Sequence, residues 1–151
     1  MTRVNLVPPE ELTDQHLFAE FRELKMIPKS LARSIRARGV DGVVKMIPVA
    51  FTLGKGHVSF FYDKGAYLGD RYERLRIELS RRGVNFDRSS LLDPDKVFTE
   101  HFGLAGFWTP PLEALALIRA RITEKIAMKP AWYRMRGVPL ACPKNGRAYH
   151  S

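Results

Sequence analysis

The sequence predicts an all-α fold: a compact single domain of about three main helices joined by long irregular loops. Three segments carry apolar residues at helical spacing, and residues that favour helix ends bound each of them. The one candidate β-hairpin has no further strands with which to form a stable sheet. A length of 151 residues suits one domain that buries its own core.

The first helix is expected to begin after Thr13 or Asp14, since either side chain can cap it, and to run to about Ile27. Pro28 should break that helix and open a shorter continuation through Arg38, where the next residue is glycine. The apolar stripe predicted to face the core consists of Leu17, Phe21 and Leu24.

Two further helices are predicted in the middle and the last third of the chain. The second spans roughly 66–82 and ends before Gly83, and the third follows Thr109 with Pro110 and Pro111 in its first turn. Their buried stripes are predicted as Leu68, Tyr72, Leu75 and Leu79 in the second helix, and as Leu115, Ile118, Ile122 and Ile126 in the third.

The connections are harder to assign. β-Propensity favours two strands in 43–62, on either side of the Gly54-Lys55-Gly56 turn, but buried extended chain packed on the helices fits the residues equally. The segment 84–108 is expected to be a loop, because Asp93-Pro94 and Gly103 are turn signals.

The charge balance predicts a polyanionic partner. Lys and Arg total 25 against 16 Asp and Glu, which gives a net charge of +9 and an isoelectric point near 10.0. Cations on such a surface bind phosphates and release counterions, although a merely basic surface is the alternative. No apolar run approaches the ~20 residues of a membrane span, and the single cysteine excludes an internal disulfide. Cytoplasmic or nucleoid-associated residence is the default expectation.

The polar face of the first helix is the first candidate site. His16, Glu20 and Glu23 fall together on a helical wheel, with Gln15 and Arg22 about a quarter turn away. The face could equally be ordinary solvated charge, since most surface helices carry one.

The N-terminus is the second candidate. A small residue after Met1 permits removal of that methionine, which leaves a free α-amine on Thr2. Such an amine has a pKa of about 8, and a cationic neighbour such as Arg3 would enlarge its neutral, nucleophilic fraction. Nearly every protein has an N-terminal amine, so this feature is not specific by itself.

The last third of the chain is basic and aromatic. Arg121 and Lys125 lie four residues apart on one helical face, and Trp132 and Tyr133 follow among further cations. Cations hold phosphates and aromatic rings stack on exposed bases, so the combination favours nucleic acid over a purely structural role for the aromatics. The Gly54–His57 turn has no phosphate-loop spacing, and the histidines have no ligand spacing, so no metal or other cofactor is assigned.

Several separated blocks, in the same order, closely resemble the pyrimidine dimer DNA glycosylases that also have abasic-site lyase activity. The blocks cover most of 1–137 and are MTRVNL (1–6), LTDQHL (12–17), AEFREL (19–24), LGKGHVSFFYDK (53–64), ARITEKIA (120–127) and PAWY (130–133). Because the likeness is colinear, it is more specific than any single motif.

The resemblance implies catalysis by the Thr2 amine and the Glu23 carboxylate on double-stranded DNA carrying ultraviolet damage, by a monomer that needs no metal. The amine would attack the sugar of the 5′ nucleotide of the dimer, and Glu23 would stabilise the cationic sugar and promote β-elimination. Positions implied or indicated to contact DNA are Arg3, Gln15, His16, Arg22, Arg121, Lys125, Trp132 and Tyr133. Residues 1–137 would form the glycosylase-like domain and 138–151 a basic tail.

Two departures from the family pattern bear on the substrate. Met26 stands where the family has a second arginine, and 134–136 replaces a tyrosine-rich stretch that touches damaged DNA. Two alternatives therefore remain: a lyase acting on abasic sites or other damaged bases, and a non-catalytic DNA-binding module. The presence of Thr2 and Glu23 argues against the second, because neither is needed to grip phosphates.

Overall fold

A computed structural model describes residues 3–140 of the chain. The predicted nucleophile Thr2 and residues 141–151 of the predicted tail lie outside the described residues. Within the described range the chain is mainly helical, which confirms the all-α single domain. None of these helices is both long enough and apolar enough to cross a membrane.

Five α-helices and a small hairpin make up the described chain, together with two single-turn 3-10 helices at Pro9–Glu11 and Ser59–Phe61. The helices are α1 (Asp14–Glu23), α2 (Met26–Lys45), α3 (Gly65–Arg81), α4 (Val97–Glu100) and α5 (Leu112–Met128), and the hairpin strands are β1 (Arg134–Met135) and β2 (Val138–Pro139).

The start of α1 follows the prediction and its end does not. The Thr13 side chain accepts the backbone N–H of His16 and so caps the helix. The helix ends at Glu23, however, and α2 begins at Met26, so the break comes before Pro28 rather than at it. Pro28 lies in the first turn of α2, where its missing N–H has no helical partner to lose.

Gly39 divides α2 into two helical segments. Gly39 has φ 74° and ψ 165°, a conformation that kinks the helix, and the helical turns resume and reach Lys45. The predicted end of the continuation at Arg38 is therefore confirmed, whereas the helical turns from 40 to Lys45 were not predicted.

The candidate strands between the helices are also wrong. Within 46–62 the chain forms turns and one 3-10 turn, and Phe51, Phe60 and Phe61 pack with Trp108 in an aromatic cluster. Within residues 3–140 no neighbouring strand forms backbone hydrogen bonds with these β-favouring residues. They contribute to the fold through packed side chains instead. The expected loop 84–108 also contains α4, whose first N–H groups bond to the Asp93 carboxylate.

The core lies mainly between α1 and α3. Phe21 of α1 stacks on Tyr72 of α3 with ring centroids 4.6 Å apart. The predicted stripes of α1 and α3 are buried in full. The predicted stripe of α5 is wrong in part, because only Ile118 is buried and Leu115, Ile122 and Ile126 are partly exposed. The extended segment before α1 also enters this core through Val4, Leu6 and Val7. Because few side chains of α5 are buried in the core, most of its polar surface stays exposed.

The C-terminal hairpin is held against the start of α1. Arg136 and Gly137 turn the chain with φ 52° and 84°, and the Asp14 carboxylate accepts both of their backbone N–H groups at 2.9 and 2.7 Å. Burial alone would raise the pKa of Asp14, but these two hydrogen bonds and the Arg82 guanidinium lower it on balance. Through this contact the segment 130–140 reaches the polar face of α1.

Candidate active site

A cavity of about 330 Å³ opens between the N-terminal segment, α1, α5 and the C-terminal hairpin region. It brings together residues from four separate parts of the sequence, most of them polar or charged. Its lining consists of Arg3, Asn5, His16, Ala19, Glu20, Glu23, Arg121, Ile122, Lys125 and Tyr133. Six of the ten site residues that the sequence predicted are among them: Arg3, His16, Glu23, Arg121, Lys125 and Tyr133.

Glu23 reaches the cavity because it closes the last turn of α1 on the face opposite the buried stripe. Its side chain is partly buried. It forms no ion pair with any residue in 3–140. A carboxylate that is partly desolvated and faces an open cavity is available to a positively charged reacting group.

Glu20 has a different environment although it lies one turn earlier on the same helix. Its two oxygens accept from Nε and Nη2 of Arg71 at 2.8 and 2.9 Å, and Nη1 of Arg71 donates to the Val7 carbonyl at 2.6 Å. Both side chains are almost completely buried. Burial works to lower the pKa of Arg71, but Glu20 outweighs it and raises the pKa. Glu20 is therefore committed to joining α1, α3 and the N-terminal segment.

Three cations face the cavity: Arg3 from the N-terminal segment, and Arg121 and Lys125 from α5. Nη1 of Arg3 is buried and has no hydrogen-bond partner within 3–140. Burial, together with the positive charge of Arg121, lowers the pKa of Arg3, which still remains a cation at neutral pH. A buried guanidinium N–H without an acceptor, beside other cations, is the arrangement expected of an anion-binding site.

His16 and Tyr133 form one aromatic wall of the cavity. Their rings stack with centroids 4.8 Å apart and planes 11° from parallel. Nδ1 of His16 lies 2.8 Å from the Thr13 hydroxyl. Burial, against a smaller opposing effect of Glu20, lowers the pKa of His16, with Lys125 adding to the decrease. The ring is therefore neutral at pH 7 in the free protein and does not add to the positive charge of the cavity.

The other three described residues that were predicted to contact DNA lie outside the cavity lining. The Gln15 amide donates to the Trp132 carbonyl at 2.6 Å and accepts the Arg134 N–H at 3.0 Å, so it holds the C-terminal segment. Trp132 is half exposed next to Tyr133, and Arg22 is exposed over the Phe18 ring.

Sequence reasoning did not select four of the lining residues as site residues. Asn5, Ala19 and Ile122 gave no signal, because a buried amide or a small apolar residue looks the same in any core. Glu20 was noted on the polar face of the helix, but its commitment to Arg71 depends on a residue 51 positions away. Only the packing of α1 on α3 decides that pairing.

A model of the pyrimidine dimer DNA glycosylase family matches residues 1–92 of the chain, which is well over half of its length. The chain belongs to this family. The match takes in the N-terminal segment, α1, α2, α3 and the turn around His57, and thus the part of the cavity formed by Arg3, His16 and Glu23. It ends before α5 and the hairpin, which supply Arg121, Lys125 and Tyr133.

Membership of this family supports a role in DNA repair, with DNA as the substrate. It accounts for the strong positive charge of the chain, since a glycosylase must bind the phosphate backbone before it can reach a base. It also makes the cavity, which is lined by three cations and two carboxylates, the candidate for the site of reaction.

Proposed function

We propose that the chain excises cyclobutane pyrimidine dimers and then nicks the strand, with the α-amine of Thr2 as the nucleophile and Glu23 as the catalytic carboxylate. The observation that carries the proposal is the cavity in which Glu23 faces Arg3, Arg121 and Lys125. Arg3 follows Thr2 directly in the chain, so the segment that lines the cavity is the one that ends in the amine.

The first chemical step replaces one bond to the sugar by another. The neutral amine of Thr2, freed by removal of Met1, attacks C1′ of the 5′ nucleotide of the dimer, and the glycosidic electron pair leaves with the base. Loss of an amine proton and opening of the sugar ring give an imine between the protein and the DNA. A carboxylate close to C1′ lowers the barrier, since positive charge develops on the sugar.

The second step cleaves the backbone. A base removes a proton from C2′ of the imine, the electron pair forms a C2′–C3′ double bond, and the 3′ phosphate departs with the C3′–O pair. Water then releases the protein by hydrolysing the imine. Glu23 is the carboxylate in the cavity without an ion pair to residues 3–140, which supports it as the group that moves these protons.

The cations would hold the phosphates that flank the lesion. The buried N–H of Arg3 lacks an acceptor within residues 3–140, and Arg121 and Lys125 lie on the adjacent face of α5. A phosphate at this point would complete the hydrogen bonds of Arg3 and bring the sugar towards Glu23. The His16–Tyr133 stack and the half-exposed Trp132 offer aromatic faces to bases extruded from the duplex.

Borohydride trapping tests the proposal. The protein is mixed with an ultraviolet-irradiated duplex, an abasic-site duplex and an undamaged duplex, and mass spectrometry maps any adduct. An adduct at Thr2 on irradiated DNA is expected, and a preparation that retains Met1 should give none.

Two other results would change the assignment. An adduct on abasic DNA alone would replace dimer excision with abasic-site lyase activity. If Met1 is absent and no substrate gives an adduct, the imine mechanism is wrong and a non-catalytic DNA-binding module takes its place.

A further inference from the structure

The glycine-rich turn at 53–57 has no part in the chemistry described so far. The chain reverses direction here, with the His57 N–H bonded to the Gly54 carbonyl at 3.0 Å. Gly56 has φ 92°, and a Cβ built there would meet Pro48 at 3.1 Å, so the turn requires glycine at this position. The consequence of the turn is that His57 points inward and is only 4% exposed.

Both ring nitrogens of His57 are engaged by the backbone. Nδ1 lies 2.8 Å from the Thr52 carbonyl oxygen, which can only accept, so Nδ1 carries the proton. Nε2 lies 2.9 Å from the backbone nitrogen of Val4, which can only donate, so Nε2 accepts. These two partners fix one tautomer of a neutral ring. The rings of Phe51 and Phe61 pack edge to face against it.

The Val4 contact joins this turn to the N-terminal segment. Val4 is fully buried, and Arg3, the next residue towards the N-terminus, lines the cavity together with Glu23. Two peptide units, at most about 7 Å of chain, separate Val4 from Thr2. An anchor on the Val4 N–H therefore limits how far the N-terminal amine can move from the cavity.

We propose that His57 is a positioning residue for the reaction: its Nε2 anchors the main chain at Val4 and so holds Arg3 in the cavity with Glu23, one residue from the proposed nucleophile. This inference rests on the proposed function, because it assumes that the N-terminal amine is the nucleophile. His57 need not touch DNA. Its effect is on the geometry of attack, where a displacement of about 1 Å can cost about 100-fold in rate.

The charges that face His57 suit a ring that must stay neutral. Arg3 lies on the N-terminal side and Glu20 on the α1 side, and the rings of Phe51 and Phe61 pack against the imidazole. Burial lowers the pKa of His57, the Thr52 carbonyl opposes that shift, Arg3 adds to it and Glu20 opposes it weakly. A protonated ring would set two N–H donors against each other at Val4, and the anchor would be lost.

Two substitutions separate the two hydrogen bonds. In His57→Asn the side-chain amide can still donate to Thr52, but it is too short to accept from Val4. In His57→Gln the amide oxygen reaches about as far as Nε2 and can accept from Val4. A His101→Asn variant is the matched control, because this partly exposed histidine does not line the cavity.

The measurements are the single-turnover trapping rate at saturating abasic-site duplex and the dissociation constant for the same duplex. For His57→Asn we expect the rate to fall by at least about tenfold, with the dissociation constant within about twofold of wild type. His57→Gln should recover most of the rate, and His101→Asn should equal wild type. A purely structural role would lower the stability of both His57 variants and leave the rate per folded molecule unchanged.

A folded His57→Asn variant that traps DNA at the wild-type rate overturns the positioning role. If that variant does not fold, ¹⁵N NMR of the wild-type protein decides instead. Protonation of Nδ1 and slow exchange of the Val4 amide are expected, and fast exchange of that amide contradicts the anchor. A protein that retains Met1 distinguishes the two proposals. If it still cleaves DNA, the proposed function fails. If it is inactive while His57→Asn is fully active, only the positioning role of His57 is rejected.

Discussion

Two carboxylates on α1, Glu20 and Glu23, lie three residues apart and have different neighbours. Glu20 faces α3, where both of its oxygens bond to the buried guanidinium of Arg71. Glu23 faces the cavity against α5, where Arg121 and Lys125 also lie, and it has no ion pair within residues 3–140. Residues of the same type on one helix therefore stabilise the fold in one region and are available to a substrate in the other.

The comparison shows how the fold separates binding charge from structural charge. Carboxylates such as Glu20, Asp14 and Glu78 pair with arginines at the contact of α1 with α3, or where the hairpin reaches these helices. The cavity collects Arg3, Arg121 and Lys125, and its two carboxylates are Glu20 and Glu23. The charges at the contact of α1 with α3 are thus neutralised by ion pairs within the protein, whereas the cavity keeps positive charge that can bind phosphates.

The largest expected effect comes from neutralising Glu23. Glu23→Gln should reduce cleavage of damaged DNA by at least about 10³-fold, because the amide cannot stabilise a cationic sugar or move its protons. DNA binding should stay equal or tighten, since a negative charge near phosphates is removed. Cleavage on irradiated duplex and a filter-binding assay measure the two quantities.

Glu20→Gln is the matched control for that variant. It should lower the stability of the protein and leave the rate per folded molecule far above that of Glu23→Gln. If the two variants lose cleavage equally, the division of roles between the carboxylates is wrong.

The next effect concerns the α1–α3 interface. Arg71→Met should cost about 3–5 kcal/mol of unfolding free energy, because it leaves the Glu20 carboxylate buried without its partner. Urea denaturation measures this loss. The double variant Glu20→Leu/Arg71→Met should recover a large part of it, since a buried apolar pair carries no desolvation penalty. If the double variant is no more stable than Arg71→Met, the pair is not the cause of the loss.

A smaller effect is expected from the cations of the cavity. Arg121→Ala and Lys125→Ala should each weaken DNA binding and lower the slope of log affinity against log salt by about 0.9, the value for one phosphate contact. Arg119→Ala is the control on the same helix, because Arg119 pairs with Glu11 and does not line the cavity. Equal slopes for all three variants would contradict a phosphate site in the cavity.

The smallest effect is the pH dependence of stability. Burial lowers the pKa of His57 in the folded chain, so below about pH 6.5 the unfolded chain binds a proton that the folded chain resists. Stability should therefore be complete above that pH and decline as the pH falls towards the folded pKa. His57→Gln cannot titrate and should lose less stability between about pH 7.5 and 5.5 in urea denaturation. The same pH dependence in both proteins would show that another group, such as His16, causes the decline.

The sequence by itself determined the helical class, the core stripes of α1 and α3, a helix cap at Thr13 or Asp14, and the family. These depend on local periodicity, on capping chemistry and on the order of the matching sequence blocks, all of which can be read from the sequence alone. The sequence also placed His16, Glu20 and Glu23 on one helical face, because three and four residues are close to one turn.

Only the tertiary structure decided what each of those residues meets. The pairing of Glu20 with Arg71, the anchoring of Val4 by His57 and the meeting of Arg3 with α5 each join positions more than 50 residues apart. The break before Pro28, the second helical segment of α2 after Gly39 and the aromatic cluster in place of strands have the same origin. Local preferences there differ by about 1 kcal/mol or less, and packing against distant residues outweighs them.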